Sequence, residues 1–333
     1  MATAVRALLG LACALLLALP APVEAATPAA TPQPPMVPLL VALDLDNVYG
    51  FSSREKTYMV EGTLEVAAAA PVMESWLAAG VEPIRLVRFK NLVQPWDSRI
   101  EPNRGPRRRG ATLALRYRFN GRFYSDEIDY RAYPFGALPL EVQLVPDANF
   151  PSTIQDPPAI KLDAQPADSG VSRRSNMDGY RLASWSYGST PEGAELNLIY
   201  RPISWASLVK WLLPLTITMV VMLLTPNLRS SFSSERLAIP PVILLTLVFM
   251  QQAYRDTLPS LPYLTVLDGL YAFSYLVTLA FFCEFIWCAN LMDGRSSSAI
   301  ARLEPRVGRL ELVLQLASLG GYAVLLAWAW GQR

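Results

Sequence analysis

Steps of three and four residues from Glu235 reach Ala238, Val242, Leu245, Phe249, Gln252 and Asp256. On an α-helix those positions share one face. The stripe has a carboxylate at each end, an amide near one end and an apolar middle. Carboxylates gathered at a constriction concentrate cations, and stacked apolar side chains in a narrow passage can shed water and stop ions. The plain alternatives are a carboxylate favoured at a helix N-terminus and an apolar stripe packed between helices. Glu284, inside a long apolar segment, is either a functional carboxyl or a neutral one hydrogen-bonded between helices. Trp76, Trp96, Trp185, Phe150 and Tyr187 are aromatic enough for a cage around a cationic ligand, or simply for a core, with Trp185, Tyr187 and Phe150 the nominal ligand contacts. The basic run Arg104 to Arg109 reads as a solvated loop, with an anion patch as the alternative.

Other chemistry is missing from the chain. It contains no histidine, which removes His-based triads, most zinc sites and the usual pH switch. No Gly-rich phosphate loop, metal-ligand spacing or nucleophile elbow is present, so no enzyme and no cofactor is expected. A net charge of +1 gives no electrostatic reason for a nucleic-acid partner. Only 17% of the 333 residues are charged and 52% are hydrophobic, so a large part of the chain does not face water. The cysteines are Cys13, Cys283 and Cys288, which leaves the middle of the chain without a disulfide; Cys283 and Cys288 are expected to be inert in apolar surroundings.

The elements that must hold these residues follow from patterning. Residues 1–26 read as a signal peptide: Arg6, an apolar run from Ala7 to Leu19, then Val23-Glu24-Ala25 before cleavage near Ala26. A Pro/Ala/Thr-rich linker extends to Pro38. Short alternating runs at Val37–Val48, Thr57–Val66, Thr112–Phe119, Leu140–Val145 and Ala194–Tyr200 predict strands of an antiparallel β-sandwich spanning 27–201. One short helix is expected within Ala67–Ala79. Residues 202–333 then hold four apolar segments, Leu208–Leu224, Ile239–Ala253, Val266–Ala289 and Leu310–Trp330, of membrane-crossing character. The second is marginal in length and carries Gln251 and Gln252, which favours a protein or water environment over lipid. The leader sends the sandwich outside the cytoplasm and leaves Arg229, Arg236, Arg295, Arg302 and Arg306 in cytoplasmic loops, where the positive-inside rule wants them; Arg333 then ends outside.

An ordered set of motifs resembles the pentameric ligand-gated ion channels, the Cys-loop receptor superfamily, in its short bacterial form. Ile128-Asp129-Tyr130-Arg131-Ala132-Tyr133-Pro134-Phe135 followed by Leu140-Glu141-Val142 resembles the signature loop without cysteines. Arg201-Pro202 precedes the first apolar segment, Leu213-Pro214 interrupts it, and Ser234-Glu235-Arg236-Leu237 opens the second. The stretch from Leu258-Pro259-Ser260-Leu261-Pro262 to Thr265-Val266-Leu267-Asp268 joins the second and third, and Glu284 falls where relatives carry a glutamate. Departures accompany these motifs. Gly136 and Leu138 replace an aspartate and a glutamine, Asp147 replaces an aromatic lid, and the final hairpin from Tyr187 to Glu195 is short. Pro240-Pro241 in the second helix reads as a late helix start or a kink.

The resemblance implies a homopentamer in a bacterial-type inner or plasma membrane, with the second helix of each subunit around a central pore. It makes Glu235, Ala238, Val242, Leu245, Phe249, Gln252 and Asp256 pore residues, with carboxylate rings favouring cations. It puts Pro134, Phe135, Arg201, Pro259, Pro262 and Asp268 at a coupling interface between sandwich and helices. Its partners would be copies of itself, membrane lipid, ions and a small ligand. The competing function is a non-conducting, membrane-anchored sensor or scaffold of the same fold.

Overall fold

The computed structural model describes residues 36–147, 150, 158–173, 175, 177, 179–228, 233–295 and 297–331. The expected signal peptide, most of the linker, Arg229 and Arg333 lie outside the described residues. Eleven strands run β1 (Met36–Ser52), β2 (Thr57–Ala69), β3 (Val87–Phe89), β4 (Leu92–Val93), β5 (Arg99–Arg109), β6 (Thr112–Tyr124), β7 (Leu138–Pro146), β8 (Ala159–Ala164), β9 (Gly170–Val171), β10 (Tyr180–Thr190) and β11 (Gly193–Pro202). One sheet has the order β4-β6-β2-β1-β8, with β5 added to β6 and β9 to β1; the other is β10-β11-β7-β3. The short β1–β9 pairing is parallel, an exception to the antiparallel expectation.

Strand β1 shows how pattern becomes sheet. Leu39, Val41, Leu43 and Leu45 are fully buried, while Asp44 and Asp46 on either side of Leu45 are exposed. The register then slips between Leu45 and Asn47, so the next fully buried residue is Val48. A bulge moves the alternation by one residue without losing the core face. The two sheets share that core: Phe89 of β3 packs on Phe119 and Phe123 of β6 with ring centroids 4.9 and 5.3 Å apart. Tyr58 of β2 donates its hydroxyl hydrogen to the Glu141 carbonyl of β7, and Tyr187 of β10 reaches the Val41 carbonyl at 3.1 Å.

The arginine run expected as a loop is a strand. β5 pairs with β6 from Arg99↔Asn120 to Arg109↔Thr112, and its residues are exposed throughout. Register slips at Pro102/Arg104 and Arg104/Arg107 accommodate the prolines, which an edge strand tolerates because their missing N–H need not serve a second neighbour. Solvation was the correct part of the expectation, and the loop was not. The helix expected within Ala67–Ala79 is α1 (Ala70–Ala78), because Ala67, Ala68 and Ala69 still pair with β6.

Among the described residues, four helices long and apolar enough to cross a membrane follow. We number them α2 (Trp205–Asn227), α3 (Ser233–Arg255), α4 (Val266–Met292) and α5 (Ser297–Gly331). Leu213-Pro214 does not break α2. The chain widens into a π-helical turn over Leu208–Leu212, where the Leu213 N–H reaches back to the Leu208 carbonyl. A wider turn relieves the clash that a proline ring makes with the carbonyl four residues earlier. Pro240 and Pro241 lie inside α3, so they do not mark a late start; the helix already begins at Ser233. Arg236 lies in α3 as well, and Arg302 and Arg306 lie in α5, rather than in loops. Helix packing is close where residues are small: a Cβ on Gly321 of α5 would sit 2.2 Å from the Phe273 ring of α4.

The β10–β11 hairpin turns through Pro191-Glu192, pairing Thr190 with Gly193. A Cβ on Gly193 would lie 2.0 Å from the Leu144 carbonyl oxygen of β7. Gly193→Ala should therefore destabilise the fold by about 2–3 kcal/mol, read as a clear drop in melting temperature. Glu192→Ala, which removes only an exposed ion pair with Lys90, should leave the melting temperature unchanged.

Candidate functional site

Two regions bring the sequence candidates together: the junction between sheets and helices, and one face of α3. At the junction the loop 128–135 rests on the α3–α4 connection. The Val266 N–H donates to the Arg131 carbonyl at 2.9 Å, and the Tyr130 N–H donates to the Tyr263 hydroxyl at 3.1 Å. The Arg131 guanidinium lies 5.1 Å from the Tyr263 ring centroid, a cation–π distance. Beneath it, Tyr133 stacks on Tyr254 of α3 at 5.9 Å and packs on Trp211 of α2 at 6.2 Å. Burial pushes the Tyr130 and Tyr133 phenols above the ordinary tyrosine range, so both stay neutral and act as stacking and hydrogen-bonding groups.

The start of α4 is locked from below. Thr265 and Asp268 form a reciprocal capping box: the Asp268 N–H donates to Thr265 Oγ1 and the Thr265 N–H donates to Asp268 Oδ2, both at 3.1 Å. Arg255, at the end of α3, donates to Asp268 Oδ1 from Nε at 3.1 Å and from Nη2 at 3.0 Å. Tyr254 adds a hydroxyl contact to Thr265. One buried carboxylate thus caps α4 and holds the C-terminus of α3.

Of the six coupling candidates, Pro134 is buried in the loop after a cis Tyr133–Pro134 peptide bond, and Phe135 is half-buried beside it. Pro259 lies with Arg54, Arg255, Asp256, Tyr263 and Asp268 on a cleft of about 580 Å³ beside the junction. Pro262 is exposed on the same connection. Arg201 stands apart: it is exposed on β11 opposite Arg181, and makes no ion pair among the described residues. Of the residues that hold the junction tightest, Tyr133 and Tyr263 fall within the motif stretches read from the sequence, while Trp211 and Tyr254 were not singled out. Their signal was available, because Trp and Tyr gather at the ends of membrane helices.

The face of α3 is uniform. Glu235, Ala238, Val242, Leu245, Phe249, Gln252 and Asp256 are all exposed. Arg236, Ile243, Leu247 and Tyr254 on the other side are buried. Gln252 Nε2 donates to Asp256 Oδ1 at 3.0 Å, and Ser234 Oγ donates to Glu235 at 2.8 Å. Gln251 points elsewhere, accepting from the Tyr275 hydroxyl of α4 at 2.9 Å.

The aromatic candidates are scattered. Tyr187 is buried with its hydroxyl satisfied in the core, Phe150 packs edge-on against Trp76 at 5.9 Å, and Trp185 is surface-exposed on β10. Cys283 is exposed, but Cys288 is not in apolar surroundings: its thiol donates to Glu284 Oε1 at 2.8 Å. No family model matches the chain, and no curated protein matches it in sequence.

The capping geometry ranks two substitutions. Asp268→Ala removes a buried helix cap and an ion-pair partner together and should cost about 1–3 kcal/mol. Arg255→Gln, at a half-exposed side chain, should lower the melting temperature much less, and the order reversed would mean that the cap contributes little.

Proposed function

We propose that this multi-pass membrane protein is a subunit of a ligand-gated, cation-selective ion channel of the pentameric ligand-gated type. Five copies would surround one axis, with α3 of each subunit facing a central pore. The observation that carries the reading is the α3 face: every residue of the stripe is exposed while the opposite side of the helix is buried. A face with a carboxylate at each end is costly against lipid and is served by a water-filled axis. The junction supports the same reading, because a loop of the β-domain bears directly on the connection that follows α3. Movement of the sheets would reach the pore helix through that loop. The β-domain and the C-terminus would lie outside the cytoplasm of a bacterial-type inner or plasma membrane, and a small ligand would act on the β-domain.

A second reading, a non-conducting sensor of the same fold, draws on Val242, Leu245 and Phe249, which are exposed and apolar enough to meet lipid. Ion flux through the purified, reconstituted protein separates the two. Native mass spectrometry in mild detergent should give a pentamer, and a monomer or dimer would sink the channel reading. Leu245 and Phe249 are four residues apart, so their rings would stack about 6 Å apart along the axis and exclude ions by shedding water. Leu245→Ser should produce spontaneous current or greater ligand sensitivity. Glu235→Gln should move the reversal potential in a salt gradient toward that of a non-selective pore, while current persists. If both variants assemble and stay as silent as the parent, the stripe is a packing surface and the sensor reading stands.

A further inference from the structure

A second polar cluster lies at the opposite end of the bundle from the junction, where α2 ends and α3 begins. Arg236 of α3 is 7% exposed. Its Nη2 donates to Glu311 Oε1 of α5 at 2.8 Å and to the Pro226 carbonyl at the end of α2, while its Cζ lies 5.3 Å from the Phe285 ring. Glu284 of α4 is 6% exposed and interacts electrostatically with both Arg236 and Glu311, so it belongs to the same cluster. Among the described residues its Oε1 accepts only the Cys288 thiol, and its Oε2 is buried with no hydrogen-bond partner. Arg236 Nε is likewise buried and unpartnered. The titratable and charged groups facing Glu284 among the described residues are Arg236 from α3, Glu311 from α5 and Cys288 from its own helix; the α2 carbonyl of Pro226 serves Arg236.

The charge count decides what this cluster holds. One guanidinium faces two carboxyl groups in an apolar, membrane-spanning bundle. With both ionised, a net negative charge would be buried without a counter-ion, which an apolar interior strongly disfavours. One proton makes the cluster neutral. Glu311 has the direct ion pair, whereas Glu284 has only a weak thiol donor and a bare oxygen, so the proton belongs on Glu284. We propose that Arg236, Glu284 and Glu311 form a proton-binding triad joining α3, α4 and α5, with the proton resident on Glu284. Loss of that proton would set two carboxylates of neighbouring helices competing for one arginine, and α3 carries that arginine. The triad stands whether or not the exposed face of α3 lines a pore.

Infrared spectroscopy of the purified full-length protein tests this directly, through the C=O stretch of a neutral carboxylic acid in parent-minus-variant spectra at neutral pH. Glu284→Gln should lose that band. Glu311→Gln should lose it too, because Glu284 must then ionise to balance Arg236. Arg236→Gln should keep the band and gain intensity, since neither carboxyl then has a counter-charge. The parent should melt at a lower temperature as pH rises through deprotonation of the triad, and Glu284→Gln should remove that part of the dependence. An unchanged band in Glu284→Gln, or its survival in Glu311→Gln, overturns the proposal. A failure of Glu284→Gln to fold also counts against it, because the amide is the close mimic of a neutral carboxyl.

Discussion

Tyr254 is 1% exposed, stacked on Tyr133 of the β-domain loop, edge-on to Trp211 of α2 and stacked on Tyr271 of α4. Aromatic pairs of this kind add about 0.5–1.5 kcal/mol each beyond their buried area. Its hydroxyl meets Thr265, within the capping box that starts α4. The ring thus ties the β-domain to three helices, and the junction is organised around it. Substituting a smaller side chain would open a hole under the loop and release the ends of α2, α3 and α4 together.

Because the phenol sits at the C-terminal end of α3, the β-domain grips that helix near its end. The backbone bond from Val266 to Arg131 and the Tyr130–Tyr263 contact place the next grip on the following connection. Packed interfaces of this kind have discrete arrangements rather than continuous ones. A displacement of the loop therefore has to carry the α3–α4 turn with it or break the stack.

Much of the frame was legible in the sequence because period and composition are local signals. Strands β1, β2, β6, β7 and β11 follow from alternation, and the four helices follow from apolar length. Strand β5 was hidden because arginines and prolines at an exposed edge carry no alternation, and β10 was read only through its hairpin because Tyr180–Thr190 is mostly exposed and lacks the inward apolar half. At the site, spacing alone put the stripe of α3 on one face, but its exposure shows only in the fold, because an apolar stripe packed between helices has the same spacing. The meeting of the junction aromatics was not legible, since Tyr133, Trp211, Tyr254 and Tyr271 are far apart in sequence and meet only through packing. The burial of Arg236 was missed for a related reason: its partner, Glu311, lies on the last helix.

The burial of Arg236 also sets the charge of the α3 face. Successive residues on a helix point about 100° apart, so Glu235 is exposed while Arg236 turns into the bundle. At the other end, Asp256 is exposed beside Arg255. Each carboxylate of the stripe therefore has an arginine as its immediate neighbour, and an unpaired arginine there would cancel its field. In both places a carboxylate from another helix takes up the arginine: Glu311 binds Arg236 at 2.8 Å, and Asp268 binds Arg255 at 3.0 Å. Glu235 and Asp256 are left with no basic partner among the described residues. The acidic character of the stripe is thus set outside α3, by two carboxylates that do not belong to it. Any account of what the face attracts has to begin from those counter-ions, because removing either one would restore a positive charge beside the stripe.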